Sequence, residues 1–323
     1  MAIRKQSTFI PLLTAVLIGL IFQLSLLGQD DSAVPAIEKT PAEPTRIEAP
    51  FLWVIEGETP QYLLGTIHVP DQRVLSLHPT IDRALSKADQ LYVELNPQDQ
   101  LAQLQVLILP EGESTSEVLA PKTLERIDAR LAAINPAWSH KVLPAFRIWA
   151  WPLILPSFMA QQRDPTSPVM DAKLIQAAEE RKLPVKSLEN PKNQLKGFES
   201  LSKEEQILFL NLTLDDLEQE DKAGQSSLDQ LIHVYLKGDS ERLQALFLEE
   251  FDNEDASKVL NDKIMKTILF QRNEVMAKVI DTAIKKEPAK IHLFAAGTAH
   301  FVVGPSVIDL LRKSGYKITR VTP

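Results

Sequence analysis

Residues 62–69 read YLLGTIHV and residues 294–301 read FAAGTAHF. Two of the chain's six histidines, His68 and His300, therefore share a Gly-Thr-x-His setting, 232 residues apart. Each motif follows a short apolar run of the kind that forms a buried strand. A glycine at the end of such a strand, Gly65 or Gly297, lets another backbone or a ligand approach closely. The histidine three residues on then stands at the mouth of the sheet, where open α/β folds hold their ligands. Two acids are placed alike, Glu94 near the end of LYVEL and Glu189 near the end of PVKSLE. If these four strands run parallel, His68, Glu94, Glu189 and His300 meet at one rim. Neutral imidazole with carboxylate is the ligand set of catalytic zinc, and of manganese or iron in related sites. Such a metal lowers the pKa of its water and polarises a carbonyl, and a further carboxylate could serve as general base. One GxxH alone is more often a histidine bonded to backbone at a strand end; the pair with two acids carries the metal reading.

The elements that must position these residues follow from the pattern. FLWVIEG and QYLLGTIHV are β-type runs joined by ETP, a hairpin. HPTIDRALSKAD (78–89) has helical spacing at Ile81, Ala84, Leu85 and Ala88, and LYVELN (91–96) then reads as a strand. A long helical middle is expected from about Gln98 to Gln162, its tryptophans packing between helices. MDAKLIQAAEERKLPVKSLEN (170–190) is helix then strand, with Pro184 at the joint. Residues 201–285 read as charged, Leu-rich helices. The chain ends as strand, helix and strand, with Gly315 as a helix stop.

HPTIDRALSKADQLYVEL (78–95) aligns without gaps on GPSVIDLLRKSGYKITRV (304–321). The chain thus holds a degenerate repeat, strand–GTxH–loop–helix–strand, occurring twice. The expected fold class is mixed α/β, one sheet built from both units with the helical middle packed on it. The alignment pairs Glu94 with Arg320, so Arg320, if it points to the site, is expected to hold a substrate carboxylate or a neighbouring acid.

Composition narrows the function classes. Hydrophobic residues at 44% and charged residues at 24% are ordinary for a globular chain. The net charge of −8 argues against a nucleic-acid partner, which wants a basic face. With no cysteine, thiolate catalysis and Cys-ligated zinc are ruled out. Arg4 and Lys5 precede a mostly apolar run from Phe9 to Leu27, the layout of a secretory signal or an uncleaved membrane anchor. Residues 1–28 are read in that way, 29–50 as a Pro- and acid-rich tether, and 51–323 as the folded part. The expected location is periplasmic, or anchored to the outer side of the cytoplasmic membrane.

YLLGTIHV, the VEL around Glu94, VMDAKL at Asp171, SLEN at Glu189, QRNEVMAKVI at 271–280 and FAAGTAHF together resemble the TraB/GumN family. The resemblance spans roughly residues 50–321. That family includes the TIKI-type metalloproteases and sits in a wider group with erythromycin-esterase-like and haem-binding ChaN-like folds. The resemblance implies a divalent metal ion, manganese, cobalt or zinc, at His68, His300 and Glu94. Arg272 and Asn273 would line the same cleft, with Asp171 and Glu189 as further site residues. It implies a metal-dependent hydrolase acting on a peptide or protein. The alternatives it leaves are a protein that sequesters a peptide or small signal, and a haem- or metal-binding module. Spacing alone does not single out Arg272. His78, His140, His233 and His292 lack a partner at motif spacing and are read as surface or core residues.

Overall fold

The structure, a computed structural model, describes residues 45–96, 99, 105–249 and 256–322. The expected export segment and most of the tether lie outside the described residues, among which no helix is long and apolar enough to cross a membrane.

The six strands are β1 (Leu52–Ile55), β2 (Gln61–Thr66), β3 (Gln90–Val93), β4 (Val185–Ser187), β5 (His292–Gly297) and β6 (Ile318–Arg320). They form one sheet in the order β4-β3-β5-β2-β1-β6. The hairpin of β1 and β2 is antiparallel, and so is β1 with β6. β2 with β5, β5 with β3 and β3 with β4 are parallel. The four strands that precede His68, Glu94, Glu189 and His300 therefore all point the same way. β3 and β5 are buried at every residue, as parallel strands covered on both faces must be, which is why they read as continuous apolar runs.

Helices α1 (Pro79–Lys87), α2 (Pro121–Ile134), α3 (Trp151–Arg163), α4 (Met170–Glu180) and α5 (Pro191–Glu199) occupy the first two thirds of the chain. After them come α6 (Lys203–Ala223), α7 (Ser227–Lys237), α8 (Ser240–Glu249), α9 (Ala256–Met265), α10 (Gln271–Lys286) and α11 (Val307–Lys313). α1 starts where the sequence places it. His78 caps it by accepting from the Thr80 N–H, Pro79 takes the first turn, and Ile81, Ala84 and Leu85 face the core. In the second repeat unit Ser306 and Asp309 form a reciprocal capping box at the start of α11. The sheet is the centre of one apolar core, to which α1, α4, α7, α8, α10 and α11 contribute. A second core holds Trp149, Trp151 and Phe198 with side chains from α2, α3, α5, α6 and α9.

Two expectations need correction. The middle of the chain is not one long helical stretch. α2 and α3 are separated by turns and by an isolated bridge between Ile108 and Phe146, where Asn135, Pro136 and Pro144 interrupt the helical pattern. Arg320 does not reach the rim. Its guanidinium lies over the rings of Phe51 and Trp53 and donates to the carbonyls of Pro50 and Gly238, tying the start of the domain to the end of α7. The repeat alignment paired it with Glu94, but β6 is the edge strand beyond β1, far along the sheet from β3.

Candidate functional site

β2 ends at Thr66 and β5 at Gly297, which are register partners, so the two Gly-Thr turns lie side by side with the motifs one residue out of step. The Thr298 N–H and hydroxyl both donate to the Thr66 carbonyl at 2.8 Å. Each glycine makes room for the other motif. A Cβ on Gly65 would lie 2.7 Å from the Thr298 hydroxyl. One on Gly297 would lie 3.2 Å from His68 Nε2 and 3.3 Å from Glu94 Oε1. On the other side of β5, the ladder of β3 and β4 continues past the strands, with the Glu189 N–H donating to the Glu94 carbonyl at 3.2 Å. The two acids are thereby set next to one another.

Glu94 is the hub of what results. Its Oε1 accepts from the Gly297 N–H at 2.7 Å and faces two imidazoles, His68 Nε2 at 3.3 Å and His300 Nε2 at 3.8 Å. Its Oε2 accepts from Gln194 Nε2 at 3.0 Å and from Arg272 Nη2. The Arg272 guanidinium also forks onto Glu189, with Nε 2.9 Å and Nη2 2.6 Å from Glu189 Oε2. Arg272 and Asn273 open α10 straight after a π-helical segment, Lys266–Phe270, whose Ile268 carbonyl accepts from Arg272 Nη1. Such widened turns occur often at functional sites. Gly197 of α5 packs closely on Thr267 of this segment, and three residues before it Gln194 reaches Glu94.

Each histidine has its second nitrogen occupied by a neighbour. His300 Nδ1 lies 2.6 Å from Asn273 Oδ1, and Asn273 in turn donates to the Pro305 carbonyl. His68 Nδ1 stands 3.0 Å from Asp171 Oδ2, at ion-pair distance but out of line for a hydrogen bond. The contact is electrostatic, between two buried side chains of complementary charge. Asp171 sits in the first turn of α4 beside Met170, and Tyr235 donates its hydroxyl to the Gly65 carbonyl at 2.8 Å with Met170 Sδ at 3.1 Å.

All of these side chains are at least nine-tenths buried, so charge is expensive unless paired. Burial pushes the His300 imidazole down to about 3, helped by the Arg272 charge, so the ring is neutral. Burial opposes charge on His68 too, but Asp171 and Glu94 outweigh it and raise that ring to about 10. Glu94 is also penalised by burial, yet Arg272 and the two imidazoles hold it well below the usual carboxylate range. Burial raises Glu189 even though Arg272 pulls the other way, because one guanidinium serves two carboxylates.

The family described as TraB/PrgY/gumN matches residues 51–320, nearly the whole of the folded part. The chain belongs to that family. Among its TraB/PrgY/gumN relatives, Metalloprotease TIKI1 of Danio rerio is 27% identical over 309 residues, which cover 83% of this chain and 62% of that protein. A Metalloprotease TIKI homolog of Nematostella vectensis is 26% identical, covering 84% of this chain and 67% of the relative. Metalloprotease TIKI1 of Homo sapiens is 26% identical, covering 83% and 61%. The chain thus spans about three fifths to two thirds of the length of these relatives. No solved structure gives a significant match.

Relatives named as metalloproteases raise the question of whether these residues fit a metal ion. Among the described residues no group of three or more His, Cys, Asp or Glu side chains is closed up as a ready-made metal cluster. The donors nonetheless fit by type and by spare valence. His300 Nε2 is buried and has no partner while its Nδ1 is held by Asn273. That is the arrangement of a metal-binding histidine, whose remote nitrogen is fixed by a neighbouring polar group. His68 differs: its Nε2 is engaged with Glu94 Oε1 at 3.3 Å, and Asp171 and Glu94 favour the protonated ring, so it would ligate a metal only on losing a proton.

Every site residue read from the sequence, His68, Glu94, Asp171, Glu189, Arg272, Asn273 and His300, with Gly65 and Gly297 under them, lies in this one network. His78 and His292 lie elsewhere, capping α1 and bonding Gln61. Gln194 and Tyr235 escaped the sequence reading. Gln194 falls on an amphipathic helix where a polar residue is commonplace, and the only signal for Tyr235 is a phenol on the apolar face of α7.

Proposed function

We propose that the chain is a divalent-metal-dependent peptidase acting outside the cytoplasmic membrane. His68, His300 and Glu94 would hold the ion, which would be manganese, cobalt or zinc. The observation that carries this reading is that both histidine Nε2 atoms turn toward one oxygen, Glu94 Oε1, at 3.3 and 3.8 Å. The names of the family relatives support it. When bound, the metal would supply an activated water and a polarised carbonyl. Asp171 fixes the orientation of the His68 ring, and Asn273 fixes the tautomer of His300. Arg272 keeps Glu94 ionised. Glu189, raised by burial, takes up a proton more readily than an ordinary glutamate and is the carboxyl suited to proton transfer. The basic flank and apolar run of residues 4–27 support the location.

The test is peptide cleavage by the full chain across a panel of divalent metals, with Glu94→Gln beside wild type. The reading expects turnover that chelator removes and metal restores, lowered at least about tenfold in the variant. A variant that matches wild type would remove Glu94 from the centre. One observation favours sequestration of a peptide without cleavage. The centre is closed, with His68 and His300 at 2% and 0% exposure. Stoichiometric binding of a peptide with no turnover under any metal would select that reading.

A further inference from the structure

A separate cavity of about 390 Å³ opens beside the second core, between the 109–118 loop, residues 147–149, the end of α5 and the start of α6. Its size suits a ligand of two or three amino-acid residues. Its inner wall offers donors. Arg147 is anchored through Nε to the Val106 carbonyl at 2.8 Å, and neither of its Nη atoms makes a hydrogen bond or ion pair among the described residues. Trp149 and Thr115, 2% and 6% exposed, line the same wall with their indole N–H and hydroxyl likewise unengaged there. Trp149 is held rigid by stacking on Phe198 at 5.6 Å and 8°. The rim is acidic. Glu113 and Glu199 are exposed, and neither carboxylate is paired.

A guanidinium left free inside a cavity, with its stem pinned, is preorganised for a planar bidentate acceptor. An acidic rim outside it selects against a simple anion and for a ligand carrying both charges. We propose that this cavity binds the free carboxyl terminus of a short zwitterionic peptide. The carboxylate lies on Arg147 with Trp149 and Thr115, and the ammonium end faces Glu113 and Glu199. The cavity adjoins the proposed metal centre through α5. Gln194, which touches Glu94, and Glu199, at the cavity, are five residues apart on one helix, about 7.5 Å along its axis. The proposal deepens the peptidase reading by naming the substrate end. Binding itself does not require that reading to hold.

The test is calorimetric titration of the full chain with trialanine, its C-terminal amide and its N-acetyl form, with no metal added. Trialanine should bind, and the amide should bind about tenfold or more weakly, the scale of one charge-assisted hydrogen-bonded pair. The N-acetyl form should lose only about threefold, because the rim acids are solvated. Arg147→Gln should abolish the preference for acid over amide, and Arg147→Lys should keep part of it. His68→Ala/His300→Ala should bind trialanine as wild type does, even if it has lost all turnover. Equal binding of acid and amide would overturn the proposal, as would no binding to wild type tighter than roughly 10 mM. Loss of trialanine binding in the well-folded double histidine variant would also overturn it, placing the peptide at the metal centre instead.

Discussion

His300 Nδ1 lies 2.6 Å from Asn273 Oδ1, and this contact leaves Nε2 as the ring's lone pair, aimed at Glu94. Asn273→Leu removes the acceptor and frees the tautomer. Metal affinity measured by competition with a chelating dye should fall about 10- to 100-fold. Asn273→Asp keeps the acceptor and should retain most of it. Equal affinity in Asn273→Leu and wild type would show that His300 is oriented by something else.

The two motif glycines should fail differently. A Cβ on Gly65 meets the Thr298 hydroxyl at 2.7 Å, the Phe51 Cβ at 3.0 Å and the Thr298 Cα at 3.1 Å, so the crowding is against backbone and core. Gly65→Ala should cost about 1–3 kcal/mol of stability in urea unfolding. A Cβ on Gly297 meets His68 Nε2 at 3.2 Å, the Glu94 carboxylate at 3.3 Å and His68 Cδ2 at 3.6 Å. Gly297→Ala should lower metal occupancy more than it lowers stability. The reverse ranking would mean that Gly297 serves the sheet rather than the centre.

Arg272 is the cation shared by two buried carboxylates. Arg272→Met leaves both without their cation and should destabilise the protein by about 3–5 kcal/mol. Adding Glu189→Gln removes one of the stranded charges, so the double variant should be more stable than Arg272→Met alone. Denaturant midpoints of the single and double variants decide this. A double variant weaker than the single would show that Glu189 contributes chiefly through contacts other than its charge.

Stability of the metal-free protein should peak near neutrality. His300 falls from 6.5 in the unfolded chain to about 3 in the fold. The unfolded state therefore takes up a proton that the fold refuses, and stability drops as pH falls from 6.5 toward 3. Glu94, held low, adds a loss below its ordinary value of 4.5. His68 is raised from 6.5 to about 10, so its contribution is complete below 6.5 and disappears as pH climbs through 10. Unfolding midpoints from pH 3 to 10 should show both limbs. His68→Gln should flatten the alkaline limb and His300→Gln the acid one.

The rim was legible because parallel strands buried on both faces read as apolar runs, and each run stops at the residue that matters. LYV halts before Glu94, and FAAG before the turn that carries His300. The family resemblance supplied Arg272 and Asn273, which no periodicity marks. What set them in place was a π-helical segment, invisible in a sequence where KTILF looks like any helical turn. Arg320 misled the repeat alignment because equal position within a unit does not mean equal position in the sheet. β1 is inserted between β2 and β6, while β3 lies directly against β5.

The central claim is that His68, His300 and Glu94 hold one metal ion. Metal analysis of the full chain after loading with manganese, cobalt or zinc tests it most directly, with wild type beside His68→Ala/His300→Ala and His78→Ala. The account predicts one tightly held ion per chain in wild type and in His78→Ala, whose ring caps α1 away from the centre, and none in the double variant. Equal metal content in wild type and a folded double variant, or no bound metal in wild type under any loading, would contradict it.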